Sequence, residues 1–367
     1  MRILFLSAAN SIHTVRWVNA FAENGHEVHL AYNSDHAPQA NNINKRVVQH
    51  KLKYSGFLAY YLNSKEMKTL FKKVSPQIVN AHYASGYGTL ARISKLKPLI
   101  LSVWGSDVYD FPYQSKIKMK ILKRNLCFAD KIASTSNCMA KKVKEILGAK
   151  SVDIAITPFG VDLKKFQKGK KKDSLDFITI GNVKALNPLY GISDLIISIR
   201  LLKDNLEKEN MQNVSDRIRL FIYGEGNQKD ELIELTKKYN LQNSITFKGK
   251  IPNSEVPKAL KQFDIFCATS IKESFGVALV EAMAMSLPVV ATDAEGFKEV
   301  VVDEITGIIV EKENPVSIAN GLKRLVLNEE LRRKMGEEGR IRVEEYYNWT
   351  NNVDTMERLY DGIISAQ

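Results

Sequence analysis

The sequence predicts an α/β protein built from two Rossmann-like, doubly wound domains. Short apolar runs alternate with amphipathic segments along the chain, which is the pattern of βαβ units with parallel strands. The alternation stops near residue 160 and restarts after a lysine-rich segment. A chain of 367 residues is also long enough for about two domains.

The first half of the chain opens with a βαβ unit: a strand at 1–7, a helix at 14–24 that Gly25 closes, and a strand at 26–31. Because parallel strands require a crossover connection, this unit predicts a parallel sheet covered by helices. The first domain is predicted at 1–160, with further strands at 77–81, 98–103, 129–136 and 154–158 and further helices at 88–96 and 138–147.

A linker is predicted at 161–173, because residues 167–173 form the solvated run Q-K-G-K-K-K-D. We expect a C-terminal helix at 346–367 that packs back toward the first domain. The second domain is predicted at 174–345, with strands at 176–181, 217–223, 244–248, 264–268 and 288–292 and helices at 190–204, 230–239, 255–262, 276–285 and 315–327. In such open sheets, ligands bind beyond the carboxyl ends of the strands.

The bulk composition excludes several classes of protein. With 44% hydrophobic and 26% charged residues, the chain is neither disordered nor a disulfide scaffold. Its three cysteines show no C-x-x-C spacing, so we expect free thiols in a reducing compartment. The sequence predicts no membrane span of about 18 apolar residues, and the apolar run at 3–6 is too short for a secretory signal. The net charge of +12 favours anionic partners without selecting one.

The most informative segment runs from Lys272 to Thr292, through a loop, a helix and a second strand. Glu273 lies in the loop before the helix, and Glu281 lies in its second turn. The N–H groups and the dipole at the start of a helix form an anion site, and two carboxylates beside it suit a ligand with vicinal hydroxyls. Glu281 could instead emerge at the rim of the helix, although a buried, unpaired carboxylate would cost several kcal/mol.

This segment and several shorter motifs resemble the retaining glycosyltransferases of family 4, whose GT-B fold has two domains of the predicted kind facing a central cleft. The motifs follow one another along nearly the whole chain: W-G-S-D at 104–107, P-F-G-V-D at 158–162 followed by Phe166, G-x-G at 224–226, F-x-G at 247–249, E-x-F-G at 273–276 followed by Glu281, L-P-V-V-A-T at 287–292 and E-G-x-x-E-V at 295–300. Each motif is short, but their collinear order is specific.

The resemblance implies a site for a nucleotide diphosphate sugar in the second domain. Glu273 would contact the sugar hydroxyls close to the reacting centre, and Glu281 would bind the ribose. Backbone N–H groups from the loop onward would meet the diphosphate. The resemblance implies further donor-binding residues. These are Ser274, Phe275, Gly276 and Val277 in the donor pocket, Lys250 and Ile251 beside the nucleotide base, and Gly224 of the G-x-G motif.

The chain departs from the family where the leaving diphosphate is neutralised. The family uses an Arg and a Lys in a G-R-x(4–5)-K-G segment, whereas residues 181–191 read G-N-V-K-A-L-N-P-L-Y-G. Lys184 is our catalytic candidate for the Arg role, with an ordinary surface lysine as the alternative. Tyr190 stands where the Lys would be, so one phosphate-binding cation is missing or supplied elsewhere.

Candidate residues for the cleft and the acceptor lie in the first domain. The first βα loop lacks the family's two glycines, but Asn10 and Ser11 can donate hydrogen bonds, while His13 is either a cleft residue or a structural one. Trp104 replaces a family His, so it cannot exchange a proton but can stack on a sugar. The remaining candidates are Gly105 beside it, Asp107, which either orients the acceptor or caps a turn, and His82.

We expect no metal and no cofactor. The sequence contains no D-x-D triplet and no His/Cys/Asp cluster with metal-ligand spacing. The charge of the leaving group would then be met by Lys184 and the helix N-terminus, an electrostatic contribution worth ~3 kcal/mol for each donor lost. The absence of G-x-S-x-G and P-loop motifs argues against a hydrolase or an NTPase.

The predicted function is transfer of a hexose from a UDP-sugar, with GDP-mannose as second choice, to a hydroxyl of a glycan or lipid-linked glycan in cell-surface polysaccharide synthesis. The alternatives are a non-catalytic subunit that binds a sugar nucleotide or a membrane, and a sugar-nucleotide epimerase of the same fold. The expected location is the cytoplasm, peripheral to the inner face of the plasma membrane.

Two basic segments bear on this location. Residues 116–124 carry five cations and no acidic residue, and residues 51–73 mix lysines with Phe57, Tyr60, Tyr61, Leu62 and Phe71. Such segments either lie on an anionic membrane, with each cation adding ~1 kcal/mol, or form ordinary solvated helix faces. Nucleic acid is not an expected partner, because no known binding module is present.

Overall fold

The computed structural model describes residues 1–39, 42–148, 152–167 and 176–366. The chain forms two compact units. The first unit comprises Met1–Phe159 and the C-terminal segment that starts at Thr350, and the second comprises Gly160–Trp349. Each unit contains one parallel sheet with packed helices, which confirms the predicted fold class.

The first unit is built on a seven-stranded sheet. Its strands are β1 (Arg2–Leu6), β2 (Glu27–Tyr32), β3 (Val48–Lys51), β4 (Ile78–His82), β5 (Leu99–Val103), β6 (Lys131–Ser134) and β7 (Ile154–Ile156). They lie in the order β3-β2-β1-β4-β5-β6-β7, and every pair is parallel. The helices that join them are α1 (Ile12–Glu23), α2 (Ala59–Leu62), α3 (Ser64–Val74), α4 (Gly86–Ser94), α5 (Ser106–Tyr109), α6 (Lys116–Phe128) and α7 (Asn137–Leu147).

The second unit repeats this arrangement with six parallel strands in the order β10-β9-β8-β11-β12-β13. These are β8 (Ile178–Val183), β9 (Ile218–Tyr223), β10 (Ile245–Gly249), β11 (Ile265–Ala268), β12 (Val289–Thr292) and β13 (Gly307–Val310). The helices are α8 (Ile192–Lys208), α9 (Gln212–Ser215), α10 (Lys229–Lys238), α11 (Val256–Leu260), α12 (Val277–Ala284), α13 (Glu295–Val300), α14 (Pro315–Leu327) and α15 (Glu329–Tyr346). Buried aliphatic residues of the strands, α8 and α14 form its core.

The last helix, α16 (Trp349–Ile364), packs on the first sheet. Successive residues of a strand face opposite sides, so Val79 and Ala81 join the core with α4, α6 and α7, whereas Asn80 points to the other face. There its amide donates a hydrogen bond of 2.6 Å to the hydroxyl of Tyr360. The Tyr360 ring also stacks on Phe21 of α1, with ring centroids 5.1 Å apart.

The structure divides the chain later than the predicted boundary at 345/346, because α15 continues to Tyr346 and the second unit to Trp349. Residues 168–173 of the predicted linker lie outside the described residues. Residues 161–167 pack within the second unit, where Val161 bonds to Tyr347 and Trp349 and the carbonyl of Phe166 accepts a bond from Arg340.

The strand order reverses at one point in each sheet, between β1 and β4 and between β8 and β11. Loops at the carboxyl ends of two such strands diverge, one to each side, and leave a crevice. The segments that leave these strands are those after Leu6 and His82 in the first unit and those after Val183 and Ala268 in the second. Functional side chains are expected on these four segments.

Candidate active site

An ion pair joins the two strand ends at the reversal point of the second sheet. Lys184 follows the last residue of β8, and Glu273 lies in the loop after β11. The ammonium of Lys184 lies 2.6 Å from a carboxylate oxygen of Glu273, and the two side chains are 25% and 15% exposed. The two residues predicted to be catalytic are therefore in direct contact, in a position that is sheltered but accessible.

The position of Lys184 is set by backbone contacts and by an aromatic ring. Its N–H donates to the carbonyl of Tyr223 at 2.9 Å, and its ammonium lies 4.4 Å from the centre of the Tyr190 ring. Gly224 has a φ of +157°, and a Cβ there would lie 1.9 Å from the carbonyl oxygen of Lys184. A Cβ on Gly226 would lie 2.1 Å from the carbonyl oxygen of Leu186. The G-x-G motif thus allows the loop after β9 to pass directly against the loop that carries Lys184.

The loop that carries Glu273 is held by a second close backbone contact. The N–H of Gly296 donates to the carbonyl of Glu273 at 3.0 Å, and a Cβ on Gly296 would lie 2.3 Å from the nitrogen of Phe275. Phe275 is buried, with its ring edge-on to Tyr347 at 5.5 Å. Gly276 then takes a φ of +106° as the N-cap of α12. The E-G segment at 295–296 therefore acts as a support for the loop at 273–276.

Helix α12 carries the remaining donor candidates of this segment. Val277 is its first residue, and Glu281, in its second turn, is partly exposed between the buried residues Val280 and Ala282. Ser274, in the loop before the helix, is also partly exposed. Because the first N–H groups of a helix have no carbonyl partner within it, the start of α12 can offer backbone donors to an anion.

The residues predicted to hold the nucleotide base lie at the ends of β9 and β10. The N–H of Gly224 donates to the carbonyl of Gly249 at 2.9 Å, which brings the G-x-G loop beside Lys250 and Ile251. Lys250 is exposed and Ile251 is half-buried. The structure thus groups the predicted donor residues into two sets, one around Lys184, Glu273 and α12 and one at the ends of β9 and β10.

In the first unit, a cluster of aromatic rings occupies the corresponding reversal point. His82, the last residue of β4, lies 4.2 Å from the Trp104 ring, measured between ring centroids. His13 stacks on Phe159 at 3.9 Å and meets Trp104 edge-on at 5.9 Å. Ser7, which follows β1, bonds to His82 Nδ1 at 2.9 Å and to Thr14 at 2.6 Å. Three predicted acceptor candidates, His13, His82 and Trp104, therefore lie together.

Both histidines of this cluster are neutral near pH 7. Burial lowers the pKa of His82 from 6.5 to about 3, because the protonated imidazole would lose its hydration. Burial, and to a lesser degree the charge of Arg16, lowers the pKa of His13 from 6.5 to about 4. The Nδ1 atom of His13 is buried and has no hydrogen-bond partner among the described residues. A neutral imidazole can accept a proton or a hydrogen bond from a hydroxyl group.

Asp107 has a structural role in the same unit. One of its oxygens accepts the N–H groups of Trp104 and Gly105 at 3.1 and 2.9 Å, and the other accepts the N–H of Ala84 at 2.8 Å. The side chain is buried, and this burial raises its pKa. The two interpretations of Asp107 from the sequence are that it orients the acceptor or caps the following turn. Its hydrogen bonds instead hold two loops together through the N–H groups of the preceding residues Ala84, Trp104 and Gly105.

The other three candidates of the first unit lie on the same loops. Gly105 has a φ of +142°, in a region that favours glycine. Asn10 is exposed, and its N–H donates to the carbonyl of His36 at 3.2 Å. Ser11 precedes α1 as its N-cap residue, but its hydroxyl makes no capping bond. Asn10 therefore lies at the surface of the loop, while Gly105 serves its geometry.

Three residues of these clusters were not among the predicted site residues. Tyr190 departs from the family pattern, and its ring contacts the Lys184 ammonium. Gly296 belongs to the E-G-x-x-E-V motif at 295–300, and Phe159 belongs to the P-F-G-V-D motif at 158–162. The G-x-x-E-V spacing and the P-F-G-V-D motif contained the signal for Gly296 and Phe159, but only the folded chain shows which loop or ring each of them contacts.

No group of three or more His, Cys, Asp and Glu side chains in the described ranges could hold a metal ion. No helix within the described part of the chain has the length and apolarity needed to cross a bilayer.

Two family models match the chain, one for each unit. Residues 2–136 match the family described as glycosyl transferase 4-like, and residues 162–342 match glycosyl transferases group 1. An uncharacterised glycosyltransferase of Methanocaldococcus jannaschii is 26% identical over 90% of this chain and 88% of its own. The UDP-Gal:alpha-D-GlcNAc-diphosphoundecaprenol alpha-1,3-galactosyltransferase of Escherichia coli is 26% identical over 82% of this chain and 80% of its own.

The solved structures that resemble the chain share its fold at low sequence identity. Sucrose-phosphate synthase from Thermosynechococcus elongatus matches with a TM-score of 0.85, 18% identity and full coverage of both chains. Anabaena HepE in complex with UDP and glucose matches with a TM-score of 0.78 and 15% identity, over 99% of this chain and 100% of its own. With the family matches over both units, the chain belongs to the group 1 glycosyltransferases, the GT4 type with the GT-B fold.

Proposed function

We propose that this glycosyltransferase moves a hexose from a UDP-sugar, or less favourably from GDP-mannose, to a hydroxyl of a glycan or lipid-linked glycan during cell-surface polysaccharide synthesis, with retention at the anomeric carbon. The observation that carries the proposal is the contact of Lys184 with Glu273 at the reversal point of the second sheet. A donor whose sugar hydroxyls bind Glu273 has its diphosphate within reach of the Lys184 ammonium.

The printed names of relatives favour UDP as the nucleotide. The E. coli relative is named for UDP-Gal as donor and for a diphosphoundecaprenol-linked acceptor, and HepE was solved with UDP and glucose. The N-acetyl-alpha-D-glucosaminyl L-malate synthase of Bacillus anthracis, 22% identical over 94% of this chain, is named for a different acceptor, malate. These names support a UDP-sugar as the donor. They include acceptors of different chemical classes, and we propose a glycan as the acceptor of this chain.

The reaction conserves charge and protons without a protein nucleophile. The acceptor oxygen bonds to the anomeric carbon on the face from which the diphosphate leaves, while the bond from that carbon to the phosphate oxygen breaks. The acceptor proton moves to the leaving phosphate oxygen, and the products are the glycoside and the nucleoside diphosphate. Lys184 and the N–H groups at the start of α12 stabilise the charge that develops on the leaving group.

We propose that this stabilisation needs no resident metal or other cofactor. The Lys184 ammonium and the first turn of α12 supply positive potential where a divalent ion would otherwise bridge the two phosphates. Turnover is then expected to be unchanged after dialysis against EDTA, and unchanged when Mg²⁺ or Mn²⁺ is restored. A loss with EDTA that Mn²⁺ reverses would contradict this part of the proposal.

The acceptor is proposed to bind at the aromatic cluster of the first unit. The rings of His13, Trp104 and Phe159 lie within 6 Å of one another. Trp104 and Phe159 are only 8% and 6% exposed, so the proposed contact is between sugar C–H groups and the ring edges that reach the surface. The neutral His13 offers a hydrogen-bonding nitrogen beside them. Trp104→Ala is expected to raise the KM for the acceptor more than the KM for the donor.

The test of the donor site measures release of UDP or GDP from a panel of nucleotide sugars with a glycan acceptor. Lys184→Met and Glu273→Gln are each expected to lower kcat by about 10²-fold, the effect of losing one preorganised donor or acceptor. The control is the exposed pair Lys237 and Glu234 of α10, 2.7 Å apart, changed to Met and Gln. These control changes are expected to leave kcat within about twofold.

The double variant Lys184→Met/Glu273→Gln separates catalysis from charge balance. Each single change leaves a partly buried charge without its partner, which destabilises a site by itself. If charge balance alone mattered, the double variant would recover activity, and the proposal would fail. We expect it to remain at least as inactive as either single variant. Binding of UDP-sugars with no turnover on any acceptor would instead favour the non-catalytic subunit. The anomeric configuration of the product, determined by NMR, tests retention.

A further inference from the structure

The segment between β3 and α3 exposes an unusual group of large apolar side chains. Phe57, Leu58 and Leu62 are 59%, 62% and 53% exposed, and Tyr54 is 40% exposed. All four lie within nine residues, in and before the short helix α2. Single exposed apolar residues are common, but a contiguous group marks a binding surface. We call residues 54–62 the apolar segment.

The apolar segment is held in place by polar contacts behind it. The buried side chain of Asn63 accepts the N–H of Tyr54 at 3.0 Å and donates to Asn33 at 3.0 Å. The N–H of Gly56 donates to Asp35 at 3.0 Å. The exposed side chains are therefore presented by a fixed backbone, and their exposure follows from how the segment is anchored.

Exposed lysines flank the apolar segment in the sequence. Four of them are Lys51, Lys53, Lys65 and Lys68. The acidic neighbours Glu66 and Asp35 each accept a backbone N–H, from Lys53 and Gly56. Four exposed lysines in the flanking sequence are therefore set against these two carboxylates, a net positive charge beside the apolar side chains. Aromatic and aliphatic side chains with flanking lysines are the composition that binds the interface of an anionic bilayer.

We propose that the apolar segment inserts into the headgroup region of an anionic phospholipid membrane and that the flanking lysines bind lipid phosphates. A protein partner would be expected to bury an apolar centre with few lysines near it, since lysine is depleted at protein interfaces. Helix α6 plays a different part. Its Leu122 and Leu126 are buried, and Ile117 is its one well-exposed aliphatic residue among the described positions 116–128. Helix α6 therefore contributes positive charge but no group of apolar side chains that could insert into the membrane.

The position of the segment connects it to the acceptor cluster. The ring of Tyr60 lies against Gly86, where an added Cβ would come within 2.5 Å of it. Gly86 begins α4, just after the loop that follows the last residue of β4, His82. The apolar segment therefore lies at the carboxyl edge of the first sheet. Resting here on the proposed function, we infer that membrane binding brings this edge to the level of lipid phosphates, where the diphosphate of a lipid-linked acceptor would lie.

The experiment measures co-sedimentation of the full chain with vesicles of phosphatidylcholine alone and with about one third phosphatidylglycerol. The wild type is expected to bind the anionic vesicles, less at high salt, and to bind neutral vesicles weakly. Phe57→Ser/Leu58→Ser/Leu62→Ser is expected to weaken anionic-vesicle binding by at least about tenfold. The matched control, Ile305→Ser/Val316→Ser/Ile341→Ser, changes three residues that are 53%, 56% and 56% exposed in the second unit and is expected to bind as the wild type does.

A charge series tests the lysines in the same assay. Lys65→Glu/Lys68→Glu is expected to weaken binding to anionic vesicles, while Lys208→Glu/Lys334→Glu, with the same change in net charge, is expected to have less than half that effect. Equal losses in the two pairs would show that overall charge is responsible and would overturn the proposal. Vesicle binding by the triple serine variant at wild-type strength would also overturn it.

Two further readouts keep the interpretation clear. If light scattering shows a wild-type dimer that the triple serine variant dissociates, the segment is a self-association surface and the proposal is wrong. Donor turnover with a water-soluble acceptor is expected to be unchanged in the triple variant. Glu273→Gln is expected to lose turnover and to keep vesicle binding, because it changes the donor site alone. The turnover assay therefore tests the proposed function, and the vesicle assay tests the membrane-binding proposal independently.

Discussion

The ammonium of Lys184 lies 4.4 Å from the centre of the Tyr190 ring and 2.6 Å from the Glu273 carboxylate. One cation is thus held between an aromatic face and a carboxylate. The family resemblance places a second cation at position 190, and this chain has a ring there instead. The ring carries no charge for a diphosphate, but it contacts the Lys184 ammonium, which we propose meets the diphosphate. Tyr190 is therefore a positioning residue in our interpretation.

Replacing Tyr190 tests this interpretation. A cation–π contact is worth about 0.5–2 kcal/mol depending on exposure. Tyr190→Leu is expected to lower kcat/KM about three- to tenfold while leaving the unfolding midpoint close to that of the wild type. Tyr190→Phe keeps the ring and is expected to retain most of the activity. If Phe were as harmful as Leu, the hydroxyl and not the ring would be the important group.

Gly296 offers a test of the loop that carries Glu273. A Cβ at this position would lie 2.3 Å from the nitrogen of Phe275 and 2.8 Å from the carbonyl oxygen of Glu273. Because these are backbone atoms, the loop must shift, and a displacement of about 1 Å near reacting groups can cost 10²-fold in rate. Gly296→Ala is expected to lower kcat at least tenfold in the UDP-release assay.

The matched control for Gly296→Ala is Gly362→Ala. Gly362 lies in α16 with nothing within 4 Å of an added Cβ, so alanine there is expected to leave kcat unchanged and to stabilise the helix by about 0.5–1 kcal/mol. The midpoint temperature of thermal unfolding is measured for both variants. If Gly296→Ala is already unfolded at the assay temperature, its loss of activity reflects unfolding. The kinetics are then repeated at a temperature at which the variant is folded.

Much of the fold follows from local patterns in the sequence. The buried strands β1, β4 and β5 read as apolar runs, and the structure places them within one or two residues of the predicted bounds. The edge strand β3 was not predicted, because its residues V-Q-H-K are mostly exposed and show no apolar run. Helix α15 was also missed, since only Met335, Gly336, Gly339 and Val343 of its 18 residues are buried and most of its exposed residues are charged.

The candidate site was predictable to the extent that it depends on chain order. The spacing of Glu273 and Glu281 placed one in a loop and one in the second turn of α12, and the structure has them there. The contact between Lys184 and Glu273 joins residues 89 positions apart, and no periodicity encodes such a pair. The fate of Asp107 was equally undetermined, because its three N–H partners come from two different loops.

The buried histidines predict how stability depends on pH. Burial lowers the pKa of His82 to about 3 and that of His13 to about 4, against 6.5 in the unfolded chain. Between pH 6.5 and 4, the unfolded state therefore binds protons that the folded state does not, so the free energy of unfolding falls as the pH falls. The slope approaches about 1.4 kcal/mol per pH unit for each histidine in the middle of this range, where the unfolded histidine is protonated and the folded one is not.

Urea unfolding at several pH values, with and without His82→Gln, checks this dependence. Glutamine removes the titrating group and can still bond to Ser7. The slope of the unfolding free energy between pH 6 and 4.5 is expected to be lower in the variant by about 1.4 kcal/mol per pH unit. Parallel curves for the two proteins would mean that His82 is protonated in the folded state and that its burial does not exclude the charge.

The hydrogen bond between Asn80 and Tyr360 predicts how firmly α16 is attached to the first sheet. Both side chains are fully buried, and the Asn80 oxygen also accepts the hydroxyl of Ser102 at 2.9 Å. Tyr360→Phe keeps the ring stacked on Phe21 but leaves an amide N–H without its oxygen acceptor. A buried donor that loses its partner costs about 1–3 kcal/mol. The variant is expected to lose this much unfolding free energy in urea and to show faster hydrogen exchange in α16. Tyr346→Phe removes the same hydroxyl group from an exposed side chain and is expected to change neither quantity; equal exchange in the two variants would show that ring packing alone holds the helix.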